Sequence, residues 1–366
     1  MKKVKNSFGG IIVGILMIIG GTCLLWWNEG NNVRNIEAIN EVEKVLKEVG
    51  SDKVDSKNDG KLVLVNGNLI TEDEEVKDDV FGVSIKTPVM NRIVEIYEWE
   101  ETEHTDDDNT TYTYEKVWKE ELIDSSTFHQ SGHTNPTTVE IQGQSFVANN
   151  VKLGAFELSS EQKEMLSTKN DVTVSEDIEL DEKYKYEKGY VTTSKDLDNP
   201  EIGDIRINWK YNNWTKATVL AVQKENTFTK YTAKSGRTIN RIFEGELTSS
   251  EVLSKIRSED KMMKWIFRAV GALLIVFGYI SVISPLTTLT SFVPFLGGIV
   301  GSALTFIAFL IAIIHSLIII IIAWFRFRPL LAIALLLVVA AIIALIVMLI
   351  KKNKAKKETS LEEANA

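Results

Sequence analysis

Hydrophobic and polar positions fall along this chain in two regimes. Four runs are almost wholly apolar. Between the first and second lies a long polar stretch in which short apolar runs alternate with turn residues. A helix rises about 1.5 Å per residue, so roughly 20 apolar residues cross about 30 Å of hydrocarbon. Residues 8–27 are such a run, without a charge. Residues 265–283 are a second, broken only by Arg268, and 292–323 a third, uncharged for 32 residues. Residues 329–350 are a fourth. Backbone groups in lipid must be paired internally, which predicts four transmembrane helices, one N-terminal and three C-terminal. The first run has a basic start in Lys2, Lys3 and Lys5, lacks a small-x-small cleavage site and is read as an uncleaved signal anchor after a short N-terminus, 1–7. Trp26, Trp27, Trp265 and Trp324 stand near run ends, where an amphipathic ring reaches both solvents, and are expected interface anchors.

In the third run, Gly297 and Gly301, like Gly298 and Ser302, are four residues apart on one helix face. Small residues at that spacing let helices approach closely. The plain reading is packing among this protein's own helices; the sharper one is association between copies.

The polar stretch, 28–264, predicts a β-rich extramembrane domain. It opens with a helical stripe of Ile36, Ile39, Val42, Val45, Leu46 and Val49, with Gly50 as its stop. The period then shortens. Strands are expected at 62–65, ending at Asn66-Gly67, at 92–100 and at 112–118. Further ones fall at 172–174, 205–211, 218–222, 228–233 and 239–244. The Asp106-Asp107-Asp108-Asn109 run reads as a long hairpin's tip, and Ser235-Gly236 as a turn. Ser159 with Gln162, and Thr248 with Glu251, have capping-box spacing. The second box opens a helix with no breaker before the second span, so a continuous helix is expected over 248–283. No Pro/Gly/Ser-rich linker interrupts 28–264, which favours one compact unit or two tightly joined β subdomains. The fold class is thus an α+β membrane protein.

Charge separates the regimes further. Residues 28–264 carry 47 of the 50 acidic and 30 of the 41 basic side chains, for a net charge of −17, and 265–350 contain no acid. Such segments need different solvents. The acidic balance opposes nucleic-acid binding. Lysines before the first run and in the tail, 351–366, favour both termini inside. Lys261, Lys264, Arg268, Arg326 and Arg328 then flank the membrane outside, so the positive-inside signal is mixed. Cys23 is the only cysteine and lies in the first run, so the domain has no disulfide.

Candidate chemistry is sparse. His129 and His133 have the spacing of a helical metal pair, but Ser131-Gly132 between them and Asn135-Pro136 after them read as a loop. The carboxylate-rich stretch from Glu98 to Asp108 lacks calcium-loop spacing. His315, deep in an apolar run with no acidic partner in any span, reads as a neutral, hydrogen-bonded histidine rather than a proton relay. Asp204 and Arg206 point to one face and read as structural. No phosphate loop, nucleophile elbow or zinc-protease motif occurs. No catalytic residue, cofactor or metal site is expected.

Several motifs in order carry a resemblance. Trp26-Trp27-Asn28-Glu29-Gly30 comes directly after the first run. Then come Tyr97-Glu98-Trp99-Glu100-Glu101, Tyr112, Tyr114, Trp118, Phe128 and Asn135-Pro136. Leu153-Gly154-Ala155-Phe156 precedes Leu158-Ser159-Ser160, and Asn199 to Arg206 and Lys234-Ser235-Gly236 come later. Ala323-Trp324-Phe325-Arg326-Phe327-Arg328-Pro329-Leu330 joins the last two runs. Over residues 7–350 the chain resembles the transmembrane protein 43 (LUMA) family, departing at Phe327, where a tyrosine is expected. The resemblance implies a luminal or outer domain and cytoplasmic termini. In animal cells the family is associated with the endoplasmic reticulum and inner nuclear membrane, where it binds lamins and emerin. A Lys/Asn/Ile-rich composition suggests a prokaryotic source and hence a plasma membrane. The expected function is a non-enzymatic membrane scaffold whose partners are membrane lipids, copies of itself or other membrane proteins. The alternative is a lipid-handling protein that uses the β-rich domain beside the bilayer.

Overall fold

The computed structural model describes residues 2–72, 75–106, 109–290, 297–334, 337 and 348, with the side chains of 2–9, 106, 109, 287–290 and 297–300 excepted. The chain forms two units. One comprises Met1–Glu43, Ala233–Arg237 and Ser250–Ala366; the other comprises Lys44–Thr232 and Thr238–Ser249.

The first unit is helical. Helix α1 runs unbroken over Lys2–Val45, about 66 Å at 1.5 Å per residue, so it extends well past what hydrocarbon requires. The expected first span and the helical stripe after it are therefore one helix. Phe327 covers Gly30, and a Cβ there would meet the ring at 2.8 Å, so this glycine is a contact point. The predicted stripe is only partly the buried one: Ile39 and Val42 are buried with Ala38, whereas Ile36 and Val45 are exposed. Beyond Val45 the chain does not stay helical to Gly50, because Lys47–Gly50 pairs in parallel with Val63–Asn66.

A short helix, α2, lies in the second unit at Ser160–Glu164 and has both reciprocal bonds of its capping box. Helix α3 is continuous from Ser249 to Thr290 with Pro285 inside it, longer than expected at its C-terminal end. Helix α4 spans Gly297–Phe327. Three helices among the described residues are long and apolar enough to cross a membrane: Gly10–Val45, Ser249–Leu286 and Gly301–Phe327. Three such helices stand where four were expected. The fourth run, 329–350, is helical over 329–334, and most of its remaining residues lie outside the described ones, as do 291–296 with Pro294.

The second unit holds two seven-stranded sheets. In one, the order is Thr227–Thr229, Lys216–Lys224, Leu62–Thr71, Val151–Leu153, Phe156–Glu157, with Lys47–Gly50 and Arg241–Glu244 paired alongside. In the other it is Lys185–Glu187, Tyr190–Thr192, Ile205–Tyr211, Val89–Asp106, Asn109–Lys119, flanked by Asn170–Asp171 and Gln144–Val147. One core is fed by both, with Val63, Val65, Val219 and Ala221 from the first sheet and Met90, Val94, Ile96, Ile207 and Trp209 from the second. The expected long hairpin is present, paired from Ile96–Lys119 up to Asp106–Asn109, with 107–108 outside the described residues.

Four strand expectations fail locally. Those at 228–233 and 239–244 each break in two, as Thr227–Thr229 with Tyr231–Thr232 and as Thr238–Ile239 with Arg241–Glu244, because Tyr231–Thr232 and Thr238–Ile239 pair with each other in a sheet of their own. Asn66-Gly67 is not a turn: the strand continues to Thr71. Glycine is needed there because a Cβ would lie 2.7 Å from Ser51 Oγ. The strand placed at 172–174 instead forms at Asn170–Asp171, though Val172 N–H still donates to Trp209 O at 2.8 Å. The Ser235-Gly236 turn closes with Gly236 N–H donating to Ala233 O, and Gly236 has a φ of +85°.

Candidate functional site at the membrane boundary

Within the helical unit, α1 and α3 pack antiparallel along a seam of glycines spaced by seven. Gly14 faces Gly278 and Gly21 faces Gly271: Cβ atoms built on Gly14 and Gly21 would sit 2.7 and 2.6 Å from the partner carbonyl oxygens. Each glycine leaves room for a large neighbour. Ile18 lies over Gly278, Leu25 over Gly271, Ile275 against Gly21 and Val282 against Gly14. Leu25 and Ile275 are completely buried. Close backbone approach at small residues compensates for the missing hydrophobic drive between helices in lipid.

One heptad further along α1 the seam turns polar. Asn28 donates to the Lys264 carbonyl at 3.0 Å. Glu29 is 1 % exposed. Its Oε1 takes the Arg268 guanidinium, with Nε and Nη2 both at 2.6 Å, and its Oε2 accepts from Trp324 Nε1 at 2.9 Å. A buried carboxylate demands full pairing, and here the guanidinium comes from α3 and the indole from α4. Aromatic rings surround this knot. Trp26 packs on Phe327 with centroids 5.4 Å apart, and Trp27 stands edge-on to Phe267. Arg268 lies 4.8 Å over the Trp265 ring. All four expected boundary tryptophans therefore gather here, and the Trp26–Gly30 and Ala323–Leu330 motifs meet although about 300 residues separate them.

Deeper in the same unit, His315 links all three helices. Thr22 Oγ1 donates to Ile18 O at 2.7 Å, so its remaining lone pair faces His315 Nε2 at 3.3 Å. Tyr279 OH lies 3.1 Å from Nδ1. One tautomer satisfies every group: a neutral imidazole donating from Nε2 and accepting at Nδ1. The partners are side chains from α1 and α3, Thr22 and Tyr279. A Cβ on Gly301 would meet nothing within 4 Å, so this glycine does not pack on the protein's own described helices. Ser302 is exposed, and of Gly297 and Gly298 only the helical backbone is described.

In the β unit, His129 and His133 are on a loop and do not converge. His129 stacks on Tyr112 at 4.0 Å and His133 on Tyr114 at 3.8 Å. Glu101 accepts from the Tyr114 hydroxyl and, at 2.6 Å, from His129 N–H. The tyrosine hydrogen bond chiefly, then the backbone one, holds the Glu101 carboxyl below its usual range against an opposing desolvation. Among the described residues no three His, Cys, Asp or Glu side chains gather as a metal ion requires. Arg206 pairs with Glu95 at 2.7 and 2.9 Å, between the rings of Trp118 and Tyr190, while Asp204 accepts from Glu201 N–H in the preceding turn. The two do not pair with one another. An internal ion pair escaped sequence reasoning: Asp78, fully buried, accepts from Arg92 Nη1 at 2.9 and 2.8 Å and from Trp209 Nε1 at 2.9 Å.

Residues 96–329 match the sequence model of the family described as Transmembrane protein 43. Transmembrane protein 43 of Pongo abelii is 27 % identical over 355 residues, covering 91 % of this chain and 88 % of its own. The Mus musculus protein of that name is 27 % identical with the same coverage. The Drosophila melanogaster homolog is 27 % identical over 342 residues, 89 % of this chain and 90 % of its own. No solved structure matches. The family match spans more than half of the chain and includes Arg268 and Trp324 of the boundary knot, and the chain belongs to the transmembrane protein 43 family of integral membrane proteins.

Proposed function

We propose that this protein is a non-enzymatic scaffold that holds copies of itself or other proteins in a membrane patch. What carries this reading is the closed interior of the β unit: side chains of both sheets, Trp209, Met90 and Phe156 among them, fill its core. The alternative, a β domain sheltering an acyl chain, needs an open apolar chamber where these side chains stand. The site chemistry points the same way. The histidines stack on tyrosines, and the buried carboxylates Glu29 and Asp78 are committed to guanidinium and indole groups. In a cell with a nucleus the reading places the protein in the endoplasmic reticulum or inner nuclear membrane, and otherwise in the plasma membrane.

Chemical crosslinking in native membranes, then native mass analysis in mild detergent, tests the proposal. Discrete oligomers or a defined co-purifying membrane protein are expected. A strictly monomeric protein without partners counts against it.

A further inference from the structure

Four of the five cations that confuse the sidedness of this chain lie near one another, with Lys261, Arg268 and Arg328 all acting on Lys264. Lys261, Lys264 and Arg268 come from α3, and Arg326 and Arg328 from the end of α4 and the residue after it. Glu29 faces them from α1, and both its oxygens are already engaged, by Arg268 and Trp324. The neighbouring Asp260 is likewise engaged, by Arg237 at 2.6 and 3.0 Å. Among the described residues, none of Lys261, Lys264, Arg326 and Arg328 has a carboxylate partner. Lys264 and Arg328 are also half-buried; burial weighs most against the Lys264 charge, and repulsion from Arg268 and Arg328 adds to it while Glu29 attracts it. Arg328 Nη2 is shielded from solvent and donates to nothing, and Asn32 Nδ2, one turn from Asn28 on a side chain 6 % exposed, is also without an acceptor.

Partly buried cations that repel one another, one of them with an unpartnered guanidinium N–H, favour an anion. Three considerations fix its kind. A guanidinium offers a planar fork that suits phosphate oxygens. Trp26, Trp27, Trp265 and Trp324 mark this level as the membrane–water boundary, where headgroups lie. Basic pockets between transmembrane helices are suited to acidic headgroups.

We propose that Lys264 and Arg328, backed by the Glu29–Arg268–Trp324 knot, form a binding site for the phosphate of an anionic phospholipid headgroup. The lipid's chains lie along the apolar faces of α3 and α4. The headgroup supplies the charge that Glu29 lacks and completes the boundary of the three-helix packing.

The full chain, purified in mild detergent, is titrated with phosphatidylglycerol or phosphatidylcholine, and retained lipid is counted by native mass spectrometry. One set of samples contains excess inorganic phosphate. Phosphatidylglycerol is expected to be retained at least about tenfold better than phosphatidylcholine. Lys264→Gln and Arg328→Gln should each remove most of that preference, with Lys53→Gln in the β unit as the control. Both changes remove unpaired charge, so thermal stability without lipid should hold or rise, which separates lost binding from lost folding. Displacement by millimolar inorganic phosphate would identify a free-anion site and overturn the lipid assignment. Equal retention of the two lipids, or unchanged preference in both variants, would overturn the site itself.

Discussion

At the scale of single residues, paired and unpaired polar groups account for most of what sets this protein apart from an apolar bundle on a β domain. His315 is satisfied by two side chains from other helices. Replacing it with leucine strands the Tyr279 hydroxyl inside the bundle, at a cost of about 1–2 kcal/mol for a buried donor left unmade. Tyr279→Phe removes the stranded group, so the double variant should lose less than the sum of the singles. Thermal unfolding in detergent across the four proteins measures that coupling, and strict additivity would deny the hydrogen bond.

Glu98 is fully buried on the inner face of its strand, and both its oxygens accept from Ile123 N–H, at 3.2 and 3.1 Å. Burial, outweighing that hydrogen bond and the nearby Lys119, raises its pKa above the ordinary 4.5. For an acid whose folded pKa is raised, the folded state binds the proton more tightly. Stability is therefore greatest below the unfolded value near 4.5 and declines as pH rises through the folded one. Glu98→Gln keeps an acceptor without the charge. Relative to the parent protein, the variant should gain stability as the pH rises above about 4.5, as tracked by the unfolding temperature. A pH-independent difference would contradict this.

At the scale of elements, the α1–α3 seam turns adjacent glycines into opposites. Gly20 has nothing within 4 Å of a built Cβ, whereas Gly21 would press on the Gly271 carbonyl. Gly20→Ala should be neutral or stabilise by up to ~1 kcal/mol through helix propensity. Gly21→Ala should destabilise by about 1–3 kcal/mol through overpacking. Unfolding temperatures of the two variants in one detergent decide it, and equal shifts would remove the seam from the account. The seam was faint in the sequence because glycines seven apart inside an apolar run change neither length nor hydropathy. The denser cluster from Gly297 to Ser302 was the conspicuous one, and its Gly301 meets open space. Strand interiors were more legible. Residues 205–211 alternate cleanly and form the strand Ile205–Tyr211 as expected. Boundaries failed where a distant residue decided them, as Ser51 does at Gly67 and Val63–Asn66 do at Lys47–Gly50.

At the scale of the whole molecule, hydropathy and charge were enough to separate membrane runs from an acidic domain, because those are sums over many residues. They could not show that Glu29, Arg268 and Trp324 meet, since no local pattern links positions so distant in sequence. The same distance hid the antiparallel pairing of residues 62–65 with 219–222. The mixed positive-inside signal was real information read one dimension too low: Lys261, Lys264, Arg268 and Arg328 gather in space, which charge counting along the chain does not register. Span number has a direct test. With a fourth span over 329–350, tags at the two termini are protected or exposed together in intact membranes. Opposite accessibility would mean three spans.

The antiparallel seam also has a consequence for biosynthesis. Its two strips of glycine are made far apart in time, because about 200 residues separate the end of α1 from the start of α3. At roughly 5–20 residues per second, α1 waits on the order of 10–40 s in the bilayer before its mate emerges. Through that interval the notches beside Gly14 and Gly21 stand open, and Glu29 has no counter-ion. Nascent chains stalled before residue 249 are therefore the form of this protein in greatest need of a chaperone inside the membrane.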